Sequence, residues 1–163
     1  MSLFSNGVRL EIELEPDVRS RLRVALRQAG RREVGGMLFA EQLAPAGFRV
    51  VDFSLSTQSG SDATFRRDPE SHRQALDDFF CRTGNDFGRF NYLGEWHSHP
   101  SFSAHPSLDD IVTMTDLVEN GDGIGFAVLM IVRLRCRFWR DCTFTAFAKG
   151  AAPATSDVVR VFR

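Results

Sequence analysis

Residues 95–110, which read EWHSHPSFSAHPSLDD, hold a high density of side chains that can bind a metal ion. His97 and His99 are one residue apart in strand-like sequence, so both imidazoles project from the same face. Two neutral imidazoles suit Zn²⁺, and a catalytic zinc site typically has three protein ligands and an open position for water. The spacing therefore predicts a shared metal site whose third ligand comes from another element.

Asp110 is the best candidate for that third ligand. Ser107 has the residue type of a helix N-cap, which places Asp110 in the first turn of the helix that follows. Only a short loop separates this turn from the histidine strand. Ser-x-x-Asp is also the pattern of a capping box, which forms without any metal. The histidine pair, the gap and the acid together favour a metal site.

Hydrolysis needs a general base in addition to a metal. Zinc lowers the pKa of bound water to about 7, and a nearby carboxylate can take the proton. Spacing alone leaves Glu33, Glu95 and Asp109 as candidates. Glu95 shares the histidine face and could instead orient a ligand. Glu33 precedes Gly35 and Gly36, where the missing side chains let another backbone approach closely.

The elements that must position these residues follow from the hydrophobic periodicity. Helices begin at prolines or at a capping serine and end at glycines or asparagine. Strands alternate, or are apolar throughout where both faces are buried. Strands are predicted at 8–14, 33–42, 48–55, 89–100, 124–132, 135–148 and 157–163, and helices at 16–29, 69–83 and 107–120. A loop is predicted at 56–67.

Length and composition predict one globular domain that spans residues 1–163. The 163 residues are 43% hydrophobic and 25% charged, which is ordinary for a folded domain with its own core. The strands and helices predict an α/β fold with a mixed sheet. No apolar run is long enough to span a membrane, and the first residues lack the features of a signal peptide. We therefore expect no membrane partner and a cytoplasmic location.

The charge and the cysteines exclude several other classes. A net charge of −1 provides no general attraction for nucleic acid, and the arginines of the first helix read as a solvated face. Three cysteines without CxxC spacing are expected to be reduced thiols. No HExxH pattern is present, nor the HxE and PCxxC pair of zinc deaminases. His72 and His105 read as surface residues.

Two stretches resemble the JAMM/MPN+ family of zinc metallopeptidases. His97, Ser98 and His99, followed after seven residues by Ser107 and after two more by Asp110, match the signature H-[ST]-H-x7-S-x2-D. The upstream REVGGMLFA resembles the family's strand with its catalytic glutamate, and GEWHSHP looks like the bacterial JAB form. The resemblance covers 33–40 and 94–110. Alanine at position 40 departs from the glycine that is common in the family.

The resemblance implies a site and a reaction. His97, His99 and Asp110 would bind one Zn²⁺ per chain together with a water molecule, Glu33 would be the general base, and Ser107 would help to hold the oxyanion. The implied fold is a curved mixed sheet flanked by helices. The implied activity is hydrolysis of the peptide or isopeptide bond after the C-terminal glycine of a ubiquitin-like protein. The bacterial form suggests E1/E2-like conjugation enzymes as partners and a CBASS-type antiphage operon.

Two other functions stay open at this point. The same site would serve a linear peptidase that matures a ubiquitin-like precursor or releases a sulfur-carrier protein. An MPN domain can also be a binding module without catalysis, although every ligand position is filled in this sequence. Comparing a lysine-linked conjugate with a linear fusion separates the isopeptidase from the linear peptidase. A zinc assay tests the binding module.

Overall fold

A computed structural model describes residues 10–56, 69–135, 138–155 and 158–161. Seven strands and three helices form an α/β fold, as predicted. In chain order they are β1 (Leu10–Leu14), α1 (Pro16–Ala29), β2 (Gly35–Ala44), β3 (Gly47–Phe53), α2 (Pro69–Arg82), β4 (Phe90–Ser98), α3 (Leu108–Asn120), β5 (Phe126–Arg135), β6 (Phe138–Ala148) and β7 (Val158–Val161).

The strands form one mixed sheet in the order β6-β5-β4-β2-β3-β1-β7. β4 is central: it runs antiparallel to β2 and parallel to β5. The last predicted strand is confirmed as an edge strand, since β7 pairs with β1. β5 continues to Arg135, beyond its predicted end. The predicted loop at 56–67, apart from Ser56, lies outside the described residues, as does Cys136, one of the three cysteines.

Helices cover both faces of the sheet. On one face, α1 packs through Val18, Leu22 and Leu26 against a cluster that includes Trp96 of β4. On the other face, α3 packs on β5 and β6, and α2 packs through Phe79 on β2. The buried positions of α1 are those that its helical spacing predicts. None of the helices in the described part of the chain is long and apolar enough to cross a membrane.

The buried face of α3 differs from the predicted one. The apolar pattern predicts a packed stripe of Leu108, Ile111, Val112, Thr115 and Val118. Val118 is buried as predicted, but Leu108 and Val112 are 80% and 67% exposed, and Met114, outside the predicted stripe, is buried. Residues four apart lie on one face of a helix, so this rotation places Asp110, four residues before Met114, on the face towards the sheet.

Asp52 of β3 joins α1 to α2 through two arginines. Its oxygens lie 2.8 Å from Nη1 of Arg21 and 2.7 Å from Nη2 of Arg82. The arginines of α1 were predicted to form a solvated face, and the ion pair between Arg21 and Asp52 was not predicted. Burial raises the pKa of the Asp52 carboxyl, but the hydrogen bonds from Arg82, from Arg21 and from the Phe53 amide outweigh it and hold the pKa below 3.8.

Asp52→Asn is expected to lower the free energy of unfolding by about 1–2 kcal/mol at pH 7, since both arginines are partly exposed and screened. The folded-state pKa lies below the unfolded value, so this stabilisation is complete above about pH 4 and is lost as the pH falls further. Urea unfolding at pH 7 and pH 3 measures both effects. Asp77→Asn, an exposed carboxylate on α2, is the control. If the difference in unfolding free energy between Asp52→Asn and wild type were as large at pH 3 as at pH 7, the explanation would be contradicted.

Gly35 lets β2 lie against the histidine segment of β4. It pairs with His97, and a β-carbon there would strike the carbonyl oxygen of Trp96 and lie 2.8 Å from Cβ of His97. The sequence predicts that another backbone lies close to Gly35 and Gly36, and at Gly35 that backbone is β4. The missing side chain at Gly35 therefore allows β2 to pack closely against β4, the strand that carries the histidines.

Gly35→Ala is expected to cost about 1–3 kcal/mol of unfolding free energy, as other over-packed sites do, and to weaken metal binding by displacing His97. Thermal unfolding and zinc titration measure the two losses. Gly88→Ala is the control, because a β-carbon at Gly88 meets only an Asp86 oxygen at 3.7 Å. Wild-type stability in Gly35→Ala would show that β4 can shift freely.

Candidate metal centre

His97 and His99 lie at the end of β4 and are almost fully buried, with exposures of 7% and 8%. Strand alternation aims both rings at the face covered by α2 and α3. Their Nε2 atoms are 3.1 Å apart. The main chain of His99 continues the sheet, because its amide donates to the Val132 carbonyl at 3.0 Å. The predicted histidine pair is thus brought together.

A hydrogen bond selects the tautomer of His99. Its Nδ1 lies 2.8 Å from the Ser103 carbonyl oxygen, which can only accept, so Nδ1 carries the proton. The Nε2 atom then presents its lone pair to His97 and Asp110. A backbone carbonyl behind a ligating imidazole is the usual support of a metal-binding histidine. The sequence carries no signal for this contact, because any residue at position 103 supplies the carbonyl.

Asp110 completes the cluster from the first turn of α3. Its Oδ1 lies 3.4 Å from Nε2 of His97, and its Oδ2 lies 3.8 Å from Nε2 of His99. The predicted capping box is also present: Ser107 donates to Oδ2 through its amide and its hydroxyl, both at 2.7 Å, and its Oγ accepts from the Asp110 amide. The cap holds Oδ2, so Oδ1 is left to face the histidines.

The electrostatics of the cluster keep Asp110 ionised. Burial would raise the pKa of its carboxyl, but the hydrogen bond and charge of His97, together with the hydrogen bonds from Ser107, lower the pKa well below 3.8. Asp110 is therefore a carboxylate at neutral pH, the form that ligates a metal ion.

The spacing of these atoms fits a zinc ion. One ligand atom from each of His97, His99 and Asp110 lies within 4.8 Å of the others. Tetrahedral zinc with bonds of 2.0–2.1 Å holds its nitrogen and oxygen ligands about 3.3 Å apart. The 3.1 Å between the two Nε2 atoms and the 3.4 Å from Nε2 of His97 to Oδ1 of Asp110 lie on both sides of that value. A nitrogen–nitrogen–carboxylate set also suits zinc chemically.

The three candidate bases occupy different positions. Asp109 is exposed on the outer side of α3. Glu95 is buried on β4, two residues before His97 and on its face. Glu33 is half-exposed and lies two residues before β2, whose pairing with β4 begins at Gly35 and His97; it lines a small cavity with Ala29 and Arg32 at the end of α1. Among the described residues, the ligand-distance cluster comprises only the two histidines and Asp110.

Ser98 connects Val34, the residue after Glu33, to the histidine strand. Its amide donates to the Val34 carbonyl at 2.8 Å, and its Oγ accepts from the Val34 amide at 3.0 Å. Trp96 and Ser98, which alternate with the histidines, are both buried, and the Trp96 indole donates to the Ser54 carbonyl. The hydroxyl at position 98 thus has a structural use that the H-[ST]-H pattern could have suggested.

The loop between the ligands is anchored to the sheet. Ala104 is buried, and its carbonyl accepts a hydrogen bond from Thr143 of β6. Phe102 is 66% exposed, with its ring centre 6.5 Å from that of His99, so it borders the open side of the site. His105 is exposed, as predicted. His72 is half-buried on α2, which contradicts its prediction as a surface residue.

The fold and this site define a prokaryotic JAB-domain protein. Residues 15–142 match the sequence profile of the Prok-JAB family, described as prokaryotic homologs of the JAB domain. The match covers most of the chain, which therefore belongs to this family. The resemblance of the two motifs to JAMM/MPN+ proteins is confirmed at the level of the family.

The chain is also similar to two curated proteins named CD-NTase/cGAS isopeptidase. One, from Enterobacter hormaechei subsp. hoffmannii (strain UCI 50), is 31% identical over 108 residues, which are 64% of this chain and 57% of that protein. The other, from Escherichia coli (strain TW11681), is 35% identical over 83 residues, or 48% and 49% of the two chains. The chain spans about half the length of these curated relatives.

Two solved structures share the fold. A protein from Desulfitobacterium hafniense superposes with a TM-score of 0.68 at 19% identity, covering 93% of this chain and 94% of that one. A protein from Salinibacter ruber (strain DSM 13855) gives a TM-score of 0.57 at 24% identity, covering 91% of both chains. At this identity the two likenesses concern the fold alone.

Proposed function

We propose that the protein is a zinc-dependent isopeptidase that hydrolyses the bond after the C-terminal glycine of a ubiquitin-like protein or its conjugate. The observation that carries the proposal is the convergence of His97, His99 and the ionised Asp110 on one point, at distances that fit zinc. A buried cluster of this kind at the end of a central strand is a poor way to stabilise a fold, because its members must be desolvated.

Each residue then has a distinct role. When bound, the zinc ion would polarise the scissile carbonyl and lower the pKa of a water molecule. His97, His99 and Asp110 would hold the ion, with Ser103 and Ser107 orienting two of these ligands. Glu33, two residues before the Gly35–His97 pair, would take the proton of the attacking water and pass it to the leaving amine.

Ser107 is proposed to assist the oxyanion as well as to cap α3. Its hydroxyl donates to Asp110 at 2.7 Å, so it stands beside the carboxylate that would ligate the metal. Rotation of this hydroxyl towards a developing oxyanion would leave the amide of Ser107 to hold Oδ2 of Asp110. The cap would therefore survive while the hydroxyl acts on the substrate.

The names of the two curated relatives support an isopeptidase activity. We propose a ubiquitin-like conjugate as the substrate class. We further propose E1/E2-like conjugation enzymes as functional partners, a role in antiphage defence, a cytoplasmic location, and one domain over residues 1–163. Neither nucleic acid nor a membrane is a partner in this proposal.

Cleavage of a lysine-linked conjugate is the test of the reaction. A ubiquitin-like protein joined through its C-terminal glycine to a lysine side chain is incubated with zinc-loaded protein, with chelator-treated protein, and with treated protein after zinc is restored. We expect cleavage in the first and third samples and at least about a 100-fold loss in the second, because the metal supplies both polarisation and the nucleophile.

The two alternative functions predict other outcomes when a linear fusion and a zinc measurement are added to this test. A linear peptidase would cleave a linear fusion after the same glycine and leave the lysine-linked conjugate intact. A binding module would cleave neither substrate, and it would bind less than one zinc per chain by elemental analysis. Either result would overturn the isopeptidase assignment.

A further inference from the structure

The C-terminal half of α1 and the turn after it carry a stripe of positive charge. Four exposed arginines lie in this stretch with no acidic residue among them, and this arginine stripe consists of Arg23, Arg27, Arg31 and Arg32. Within the described part of the chain, no carboxylate lies at ion-pair distance from any of the four. The stripe is therefore a surface of uncompensated positive charge.

The charges of the stripe do not help the helix to form. Arg23 and Arg27 are four residues apart on one helix face, and like charges at this spacing repel each other. Val24, beside them on the outer side of α1, is 51% exposed. Charge of one sign around an exposed apolar residue favours a partner surface of the opposite charge.

The stripe leads to the candidate base. Glu33 lines a cavity of about 140 Å³ together with Arg32 and other residues at the end of α1. Two residues after Glu33, Gly35 pairs with His97. The C-terminal end of α1 therefore lies at the end of the sheet where the metal ligands are, and the stripe extends from there back along the helix.

The proposed proton transfer decides which part of the substrate lies beside the stripe. A base that passes a proton to the leaving amine comes within hydrogen-bond distance of that nitrogen, about 2.6–3.2 Å. In an isopeptide this nitrogen belongs to a lysine of the conjugated protein. The protein surface around that lysine is therefore the part of the substrate next to Glu33 and the end of α1, whereas the ubiquitin-like protein is attached on the carbonyl side of the cleaved bond.

We propose that the arginine stripe is a docking surface for the conjugated protein, and that it selects lysines whose surroundings are acidic. This inference rests on the proposed function. Carboxylates of the conjugated protein pair with the guanidinium groups, each of which can donate two parallel hydrogen bonds to one carboxylate. The attraction acts on association, so it raises kcat/KM for acidic conjugates and leaves kcat unchanged.

Binding of lysine-centred peptides tests the surface without cleavage. Labelled peptides of equal length have glutamates, serines or arginines around one lysine, and fluorescence anisotropy measures their Kd on the zinc-loaded full chain. At low ionic strength we expect the glutamate peptide to bind at least about 10-fold more tightly than the arginine peptide, with the serine peptide between them. Because the four arginines are exposed, the preference should shrink at high ionic strength.

Matched charge variants locate the contact. Arg27→Glu is expected to abolish the preference for the glutamate peptide, whereas Arg73→Glu, the same change at an exposed arginine of α2, should keep it. Arg23→Gln adds no negative charge to the helix and is expected to weaken the glutamate peptide about 2–5-fold. Equal binding of the three peptides to wild type, or equal effects of Arg27→Glu and Arg73→Glu, would overturn the inference.

Nucleic acid is the other polyanion that this stripe could attract. Labelled DNA and RNA strands with as many phosphates as the peptide has glutamates are titrated in parallel. Tighter binding of either strand than of the glutamate peptide, lost in Arg27→Glu, would reject the protein partner and assign the stripe to nucleic acid.

Cleavage of the matching conjugates separates this inference from the function on which it rests. The three peptides are joined through their lysine to the ubiquitin-like protein of the cleavage test. A higher kcat/KM for the glutamate conjugate would support both proposals. Selective peptide binding without cleavage of any conjugate would reject the isopeptidase and keep the stripe as a binding surface for acidic proteins. Cleavage of all three conjugates at one rate would keep the isopeptidase and reject the docking surface.

Discussion

Glu33→Gln is expected to lower the rate of conjugate cleavage by about 10²–10⁴-fold while zinc content stays at one ion per chain. Glutamine keeps the size and the hydrogen-bonding oxygen of glutamate, but it cannot accept the proton of the attacking water at neutral pH. Single-turnover cleavage measures the rate, and elemental analysis measures the metal. A loss of rate with full zinc content separates the base from the metal ligands.

The control for Glu33→Gln is Asp109→Asn. Sequence spacing left Asp109 as a candidate base, but the residue is exposed on the outer side of α3, so its amide variant is expected to cleave at the wild-type rate. Wild-type cleavage by Glu33→Gln would refute the role of Glu33. If Asp109→Asn lost the activity instead, the position of the base would have to be reassigned to the helix.

Asp110→Asn is expected to weaken zinc binding by at least about 100-fold, the scale that even outer contacts of a metal site reach. The amide of asparagine lacks the negative charge that offsets the ion, while its oxygen can still accept the hydrogen bonds of Ser107. The α3 cap should therefore persist and the unfolding midpoint of the metal-free protein should change little. Competition with a chelator measures the zinc affinity, and thermal unfolding with and without zinc measures the stability.

The control for Asp110→Asn is Asp116→Asn on the same helix. Asp116 is exposed and accepts a hydrogen bond from Asn120 at 2.7 Å, away from the histidines. Zinc should raise the unfolding temperature of this variant as it does that of wild type, and should not raise that of Asp110→Asn. Equal zinc affinities for the two variants would show that Asp110 is not a ligand.

The curated relatives raise the question of whether the part of their length that this chain does not match is needed for activity. The chain matches about half of their length, and their names describe the whole proteins. The cleavage test on this chain therefore also asks whether the JAB domain is sufficient for the reaction.

Local sequence was enough to predict the elements and the three candidate metal ligands. Alternation identifies β4, and two histidines one residue apart on a strand must share a face. The buried side of α1 follows from helical spacing alone, because the whole helix lies on one sheet face. Ser107 and Asp110 are separated by the spacing of a cap, so their hydrogen bonds form within a single turn.

Tertiary packing decided how those residues meet. α3 contains more apolar residues than one face can bury, and its packing on β5 and β6 buries Met114 and Val118 and exposes Leu108 and Val112. Asp110 faces the histidines only because of that rotation. The Ser103 carbonyl behind His99 belongs to the main chain, so this contact does not depend on the side chain at position 103. The Asp52 carboxylate contacts arginines of two helices that are far from it in the sequence. Residue spacing cannot encode them, since they depend on where whole elements lie against one another.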